Sequence, residues 1–130
     1  MLPGVHFVRP DVGLAGGITQ VKKIAAIAES LHQRLIPHNF LGPVTTMACV
    51  QLAASTPNWD LQEYFREEGT PRADAATNTV EIVDGYMKIP DEPGLGIDLD
   101  IEGIKRHPYD PGSAGSAGEG RRLDGSVTLR

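Results

Sequence analysis

The sequence predicts an α/β fold in which short parallel strands alternate with helices. Three short apolar runs each end at one acid/base residue, namely Asp11, His38 and Glu63. Asp11 and His38 lie 27 positions apart, and nearly the same number separates His38 from Glu63, which is close to the roughly 30 residues of one strand–helix unit. Because the carboxyl ends of parallel strands meet at one edge, we expect these three side chains side by side. An Asp beside a His is the usual means of orienting an imidazole as a general base.

The first unit is a strand over Val5–Val8 followed by a glycine-rich loop and a helix. The loop over 13–17 matches no phosphate-binding motif, so nucleotide binding is not indicated. Thr19 is predicted to be the N-cap, and the helix is predicted from Gln20 to about His32. His32 near its end is interpreted as a complement to the helix dipole rather than a catalytic group. One helical face carries the apolar residues Val21, Ile24, Ala25, Ala28 and Leu31.

The second unit is a strand at Leu35–Ile36 and a helix over Val44–Ala54. Pro43 suits the first helical position, and the helix has so few polar residues that most of its surface is predicted to be buried. Cys49, the single cysteine, is interpreted as a buried, inert thiol. Trp59 is interpreted as a packing anchor, and Leu61–Phe65 as the third strand.

The rest of the chain is less regular. Residues 66–79 read as a loop, and Asp84-Gly85 between two apolar runs predicts a hairpin with a type I′ turn. The acidic run from Asp98 resembles a calcium loop, but its twelfth position is Tyr109 instead of Glu, so calcium is discarded. Asp98 and Asp100 are interpreted instead as introducing a short helix over 101–106. We divide the chain into a partial barrel (1–65), a loop, hairpin and C-terminal segment on the capping side (66–110), and a flexible Gly/Ser-rich tail (111–130).

Composition excludes several classes of function. The net charge of −5 and the pI near 5.3 argue against a nucleic-acid surface, which needs clustered Lys and Arg. One cysteine excludes an internal disulfide and a cysteine-rich zinc site. No apolar run reaches the ~18 residues of a membrane span, and the N-terminus lacks the pattern of a signal peptide. We therefore expect a soluble, cytoplasmic protein.

Three parallel strands cannot close a barrel, which needs about eight. Both outer strands would present unpaired edges, and the apolar second helix would lack part of its cover. The pattern therefore predicts the last third of a barrel rather than a complete domain.

Several motifs resemble the enolase superfamily, in particular its mandelate racemase branch and the galactonate-type sugar-acid dehydratases. The resemblance covers about residues 5–106. It rests on Pro10-Asp11, Ala15-Gly16-Gly17-Ile18-Thr19, Lys23-Ile24-Ala25, Pro37-His38, Leu41-Gly42-Pro43, Leu61-Gln62-Glu63 and Pro93-Gly94-Leu95-Gly96.

The resemblance implies a (β/α)7β TIM-like barrel, of which this chain supplies strands six to eight. It implies that His38 is the acid/base that takes the proton α to a carboxylate, that Asp11 orients His38, and that Glu63 hydrogen-bonds the substrate carboxylate as the enediolate forms. Loss of the β-hydroxyl as water then gives a 2-keto-3-deoxy acid. Mg²⁺ is implied, but the family's metal ligands lie on earlier strands and have no counterpart here, nor does the capping domain.

We therefore expect this chain alone to bind no Mg²⁺ specifically and to turn over no sugar acid, because the metal supplies several kcal/mol of charge stabilisation. The expected partners are a small sugar acid and the missing barrel part with its capping domain, and the full form is expected to be a homo-oligomer. A racemase or epimerase remains open, as does a non-catalytic barrel fragment that acts only by association. A small stand-alone α/β binding domain would leave the Asp11–His38–Glu63 spacing as an accident.

Overall fold

The computed structural model describes residues 4–110 together with residues 120, 121, 127 and 128. Strand β1 (Phe7–Val8) pairs in parallel with strand β2 (Arg34–Leu35), with Phe7 opposite Arg34 and Val8 opposite Leu35. Helix α1 (Ile18–Ser30) connects them, and helix α2 (Pro43–Ala54) follows β2. The predicted strand–helix alternation is therefore present, although β1 is shorter than the predicted Val5–Val8 and β2 begins one residue before the predicted Leu35–Ile36.

Both helices begin at glycines rather than at side-chain caps. Gly17 has φ 90° at the start of α1, and Gly42 has φ 124° at the start of α2, a region that only glycine enters without steric cost. The prediction that Thr19 caps the first helix is wrong, since Thr19 lies within it. Pro43 does take the first position of α2, where its missing N–H costs nothing.

The predicted third strand over Leu61–Phe65 does not form. Parallel pairing with β2 occurs instead two residues before Leu61, at an isolated bridge between Leu35 and Trp59. There the Leu35 amide donates to the Asn58 carbonyl at 2.8 Å, and the Asp60 amide donates to the Leu35 carbonyl at 2.9 Å. The next donor in this parallel ladder would be residue 37, and Pro37 has no N–H to give. The ladder therefore stops just before the segment that the sequence marked as a strand.

The core lies between the strands and the two helices. Trp59 contacts two neighbouring clusters and so joins them, which confirms its interpretation as a packing anchor; their buried members are Val12, Val21, Ala48, Cys49 and Leu52 in one, and Ala25, Ala28 and Leu35 in the other. The Cys49 thiol is fully buried, and burial raises its pKa to about 12. The thiol is therefore protonated at neutral pH and inert, as predicted.

After the core, the chain forms the predicted hairpin. Strand β3 (Ile82–Val83) pairs antiparallel with strand β4 (Tyr86–Met87). Both turn residues have positive φ, 50° at Asp84 and 83° at Gly85, which confirms the type I′ turn. Val80 and Met87 pack with Met47 and Val50 of α2 in a third cluster, so this part of the chain covers the outer surface of α2.

A short helix α3 (Ile101–Lys105) is capped by Asp100, whose side chain accepts from the Gly103 amide at 2.9 Å. It lies against a 3₁₀ turn, Ala73–Ala75. The expected flexible tail lies outside the described residues, apart from β5 (Gly120–Arg121) and β6 (Val127–Thr128), which pair antiparallel. In the part of the chain that the structure describes, no helix is long and apolar enough to cross a membrane.

We expect Gly103→Ala to detach α3 from the 3₁₀ turn. A Cβ at Gly103 would lie 1.8 Å from the main-chain oxygen of Asp74, and a backbone atom cannot move aside without shifting the turn. Overpacking of this kind costs about 1–3 kcal/mol, so amide exchange over 101–105 should accelerate strongly. Glu102→Ala, at an exposed position of the same helix, is the control, and equal protection in both variants would contradict this packing.

Candidate active site

Asp11 and His38 lie opposite each other, just beyond the paired ends of β1 and β2. They form an isolated parallel bridge, and the His38 amide donates to the Pro10 carbonyl at 3.2 Å. The side chains meet as the spacing predicts, with His38 Nδ1 2.9 Å from Asp11 Oδ2. The carboxylate thus fixes the ring so that Nε2 is the nitrogen available for proton transfer.

Asp11 is buried, whereas the His38 side chain is 37% exposed. Burial alone would raise the pKa of Asp11, but hydrogen bonds from the Leu14 amide, the His38 ring and the Gly13 amide outweigh it, and the pKa is lowered from 3.8. The Leu14 amide donates to Oδ1 at 3.0 Å. Asp11 is therefore a fixed negative charge beneath a ring that solvent or substrate can reach, which is the arrangement of an oriented general base.

Glu63 reaches the same edge through its side chain rather than through a strand. Its Oε2 accepts from the Asn39 amide at 2.8 Å, and its Oε1 lies 2.9 Å from Nη2 of Arg9. The hydrogen bond from the Asn39 amide and the Arg9 charge outweigh desolvation and lower the pKa of Glu63 from 4.5. Glu63 is therefore held as a carboxylate that accepts hydrogen bonds. To donate to a substrate carboxylate it would have to gain a proton and release Arg9 from Oε1.

Two residues at this edge were not singled out from the sequence, namely Arg9 and Asn39. Arg9 directly precedes Pro10-Asp11 and Asn39 directly follows His38, so adjacency to the predicted strand ends was the available signal. Phe40 also belongs to this edge, since its ring packs edge-on against the His38 ring with centroids 4.8 Å apart. His38 is thereby held from two sides, by Asp11 and by Phe40.

Beneath this edge lies a buried carboxyl group, Glu67, which is only 1% exposed. Its Oε1 accepts from the Thr46 hydroxyl at 2.7 Å, while Oε2 has no hydrogen-bond partner among the described residues. Burial is the largest cause and raises the pKa of Glu67 from 4.5; Glu68 raises it further, and the Thr46 hydrogen bond and Arg72 oppose the change. Glu67 therefore favours its neutral form more than an exposed glutamate does.

A raised pKa means that the folded chain holds a proton that the unfolded chain releases. The resulting stability is fully present below the ordinary value of 4.5 and is lost as pH rises through the folded pKa. We expect Glu67→Gln, which resembles the protonated form, to remove this loss, so that its thermal midpoint exceeds that of the wild type at alkaline pH and matches it in acid. Glu29→Gln, at an exposed position of α1, is the control. A higher thermal midpoint for the wild type than for Glu67→Gln at alkaline pH would contradict the raised pKa of Glu67.

The described residues do not fit a metal ion. Among residues 4–110, no group of three or more His, Cys, Asp or Glu side chains is arranged to hold one. The carboxylates of Asp11 and Glu63 are instead engaged by His38, by the Leu14 and Asn39 amides and by Arg9. These carboxylates therefore act through hydrogen bonds and ion pairs within the described residues.

Residues 2–104 match the family model described as "Enolase C-terminal domain-like". The chain belongs to this family. The predicted resemblance to the enolase superfamily is thereby confirmed, and the family places the chain in an α/β, TIM-barrel type of domain.

Individual relatives agree with this assignment. The D-mannonate dehydratase of Caulobacter vibrioides is 40% identical over 108 residues, which cover 81% of this chain and 26% of that protein. A mandelate racemase/muconate lactonizing enzyme from Jannaschia sp. CCS1 superposes with a TM-score of 0.76 at 34% identity, covering 82% of this chain and 27% of that one.

A third relative was solved with ligands. An enolase from Pantoea ananatis with bound D-gluconate and Mg superposes with a TM-score of 0.75 at 30% identity, covering 81% of this chain and 26% of that one. The chain spans no more than about 30% of the length of the curated relatives described as D-galactonate and D-mannonate dehydratases.

Proposed function

We propose that this chain supplies the acid/base part of a sugar-acid dehydratase active site, in which His38 removes the proton α to the substrate carboxylate. The observation that carries the proposal is the 2.9 Å contact between His38 Nδ1 and the buried Asp11 carboxylate. Dehydratases of this family act on sugar acids, as the Caulobacter D-mannonate dehydratase illustrates.

The chemistry follows from the orientation of the ring. Neutral His38 donates its Nδ1–H to Asp11 and presents the Nε2 lone pair to the α-proton. When Nε2 takes that proton, the imidazolium is stabilised by the Asp11 charge. The electrons left on the α-carbon pass into the carboxylate as an enediolate. When the enediolate collapses, the β-hydroxyl takes a proton back from the His38 imidazolium and leaves as water, and the resulting enol tautomerises to the 2-keto-3-deoxy acid.

Glu63 lies at the same edge and is proposed to meet the substrate carboxylate. It is a hydrogen-bond acceptor in this structure, so the proposed donor role requires that it be protonated in the complex. The substrate carboxylate could displace it from Arg9, because an exposed ion pair of this kind contributes at most about 1 kcal/mol.

The remaining components are proposed to come from other (β/α) units. We place this chain at strands six to eight of the barrel, with Mg²⁺ held by acidic residues of earlier strands and specificity set largely by a capping domain. Bound Mg²⁺ would polarise the substrate carboxylate and make its α-proton more acidic. The complete enzyme is proposed to be a homo-oligomer.

A hybrid enzyme tests the proposal. Here the 108-residue segment that matches this chain is replaced, in the Caulobacter D-mannonate dehydratase, by the corresponding residues of this chain. With Mg²⁺ and D-mannonate, we expect formation of the 2-keto-3-deoxy acid, whereas the relative lacking the segment should be inactive. A folded hybrid that binds Mg²⁺ and D-mannonate but releases no product would overturn the proposal.

A racemase or epimerase is the second candidate, favoured by the similarity to the mandelate racemase/muconate lactonizing enzyme. Both reactions begin with the same proton abstraction. The two are distinguished by the product from a panel of sugar acids in heavy water. Dehydration gives a keto acid, while inversion gives the epimer with deuterium at the α-carbon and no loss of water.

A non-catalytic module that acts by association is the third candidate, favoured by the open sheet. In the described part of the chain, β1 pairs with β2 alone, and Phe7 at that edge is 46% exposed. Unpaired edges promote association, so we expect the purified 130-residue chain to elute as an oligomer or aggregate in light-scattering chromatography. A compact monomer would contradict the open-edge picture.

A further inference from the structure

Three buried polar side chains connect the parts of the candidate site from behind. Asn39 follows His38, Thr46 lies in α2, and Glu67 follows Glu63 by four positions. Each of the three buried residues is only 1% exposed. They come from three separate segments, yet they form one continuous chain of hydrogen bonds.

The series of hydrogen bonds begins at Glu63. The Asn39 main-chain amide donates to Glu63 Oε2 at 2.8 Å, and the Asn39 side-chain amide donates to the Glu63 main-chain oxygen at 3.4 Å. The same side-chain amide donates to the Thr46 hydroxyl at 3.0 Å, and that hydroxyl lies 2.7 Å from Glu67 Oε1. Asn39 therefore donates hydrogen bonds to both the side chain and the main chain of Glu63, and its own side chain is hydrogen-bonded to Thr46 of α2.

Burial of these three polar side chains destabilises the fold relative to apolar side chains in the same place. Buried polar groups without a full set of partners destabilise a fold, and both Asn39 Oδ1 and Glu67 Oε2 lack a partner among the described residues. Apolar side chains of similar size would pack here at a lower cost in stability. The hydrogen bonds replace the strand ladder that Pro37 interrupts, which gives them a positional role.

We propose that Asn39, Thr46 and Glu67 are positioning residues that hold Glu63 in a fixed place beside His38. Asn39 transmits the position because it is covalently next to His38 and hydrogen-bonded to Glu63. The catalytic meaning of this inference rests on the proposed function, whereas the positioning itself is a property of the chain.

The Thr46 hydroxyl keeps the connection in either protonation state of Glu67. With Glu67 ionised, the hydroxyl donates its one proton to Oε1. With Glu67 protonated, the carboxyl donates to the hydroxyl, which then turns its proton to the Gly42 carbonyl 3.2 Å away. In both states a lone pair of the hydroxyl accepts from Asn39.

The test follows the titration of Glu63 by NMR in the 130-residue chain, with no substrate present. Thr46→Val removes the hydroxyl at nearly constant volume, and the looser Asn39 amide should raise the proton affinity of Glu63 by about three- to tenfold, the range for loss of one hydrogen bond. Thr46→Ser keeps the hydroxyl and should leave the midpoint unchanged. Thr45→Val makes the matched change one residue away. Equal midpoints in Thr46→Val and Thr45→Val would overturn the inference.

A second measurement decides the matter even if Thr46→Val does not fold. The chemical shifts of the Asn39 side-chain amide should change with pH as Glu67 titrates, because the two groups are joined through Thr46. Glu67→Gln should remove this pH-dependent change, while the change caused by the titration of Glu63 remains. Other charged or titratable groups lie near both glutamates, namely His38 and Arg9 beside Glu63, and Arg72 and Glu68 beside Glu67. They are present in both proteins, so their effect on the Asn39 shifts cancels in the comparison. Identical Asn39 titrations in the wild type and Glu67→Gln would contradict the inference.

The outcome is separable from the proposed function. These titrations need neither Mg²⁺ nor a sugar acid, so an inactive hybrid enzyme would leave the positioning chain intact. Conversely, the titrations of the variants could be identical to their controls while the hybrid enzyme is active. That result would remove the positioning role and leave the dehydratase assignment standing.

Discussion

His38→Asn in the hybrid enzyme should reduce turnover of D-mannonate by about 10³–10⁴-fold, near the upper end of what a general base contributes. Asparagine has no basic nitrogen, so the Nε2 lone pair that would take the α-proton is lost. The Asp11 carboxylate keeps its hydrogen bond from the Leu14 amide, and the His38 ring is a member of none of the three hydrophobic clusters described above. We therefore expect the circular dichroism spectrum and the thermal midpoint to change little.

The matched control is the same substitution at His32. This histidine is exposed and has a left-handed backbone with φ 56°, a conformation that asparagine tolerates better than most residues. Activity of His32→Asn should equal that of the unmodified hybrid. Retention of turnover in His38→Asn would show that another group removes the proton.

Asp11→Asn should reduce the turnover number by about 10²–10⁴-fold, the span of general acid–base contributions, with a smaller effect on KM. The asparagine Oδ1 can still accept from the Leu14 amide, so its NH₂ group would face His38 Nδ1. That nitrogen then becomes the acceptor, and the ring proton moves to Nε2. Neutral His38 would present an N–H to the α-carbon instead of a lone pair, as the wrong tautomer does in serine proteases.

The control for charge alone is Asp60→Asn. Asp60 is paired with Arg34 at another point of the sheet, so its substitution also removes a partly buried, paired carboxylate. We expect it to leave the turnover number unchanged. If both substitutions lowered the turnover number equally, the Asp11 effect would reflect lost stability or charge rather than the orientation of His38.

The placement of Asp11 against His38 could be predicted from spacing, because one strand–helix unit fixes where successive parallel strands end. The hairpin turn was equally accessible, since Asp84-Gly85 is a local signal for positive φ at two residues. Both inferences depend on short-range chemistry or on a regular repeat, which the sequence displays directly.

The third strand could not be predicted correctly from hydrophobicity alone. Leu61–Phe65 has the composition of a strand, but its pairing depends on a donor in another segment, and Pro37 cannot provide one. The interruption in turn explains why the Asn39 main-chain amide bonds the Glu63 side chain, and the Asn39 side chain bonds the Glu63 main-chain oxygen, where a strand ladder would pair main chain with main chain. A proline in the neighbouring strand was visible, but its effect appears only when the register is known.

The buried Thr46 and Glu67 were also inaccessible from the sequence. Thr46 is one of the few polar residues of an apolar helix, and Glu67 lies in a segment whose sequence reads as a loop. Their contact joins segments that no periodic pattern relates. Polar groups of this kind become evident only when burial and partners are known together.

The central claim is that His38 takes the α-proton, and the most direct measurement follows that proton. D-Mannonate deuterated at the α-carbon is incubated with Mg²⁺ and either the hybrid enzyme or its His38→Asn variant, and loss of deuterium to water is recorded. We predict rapid loss with the hybrid and none above background with the variant. Equal loss of deuterium with both proteins would contradict the assignment of His38 as the base.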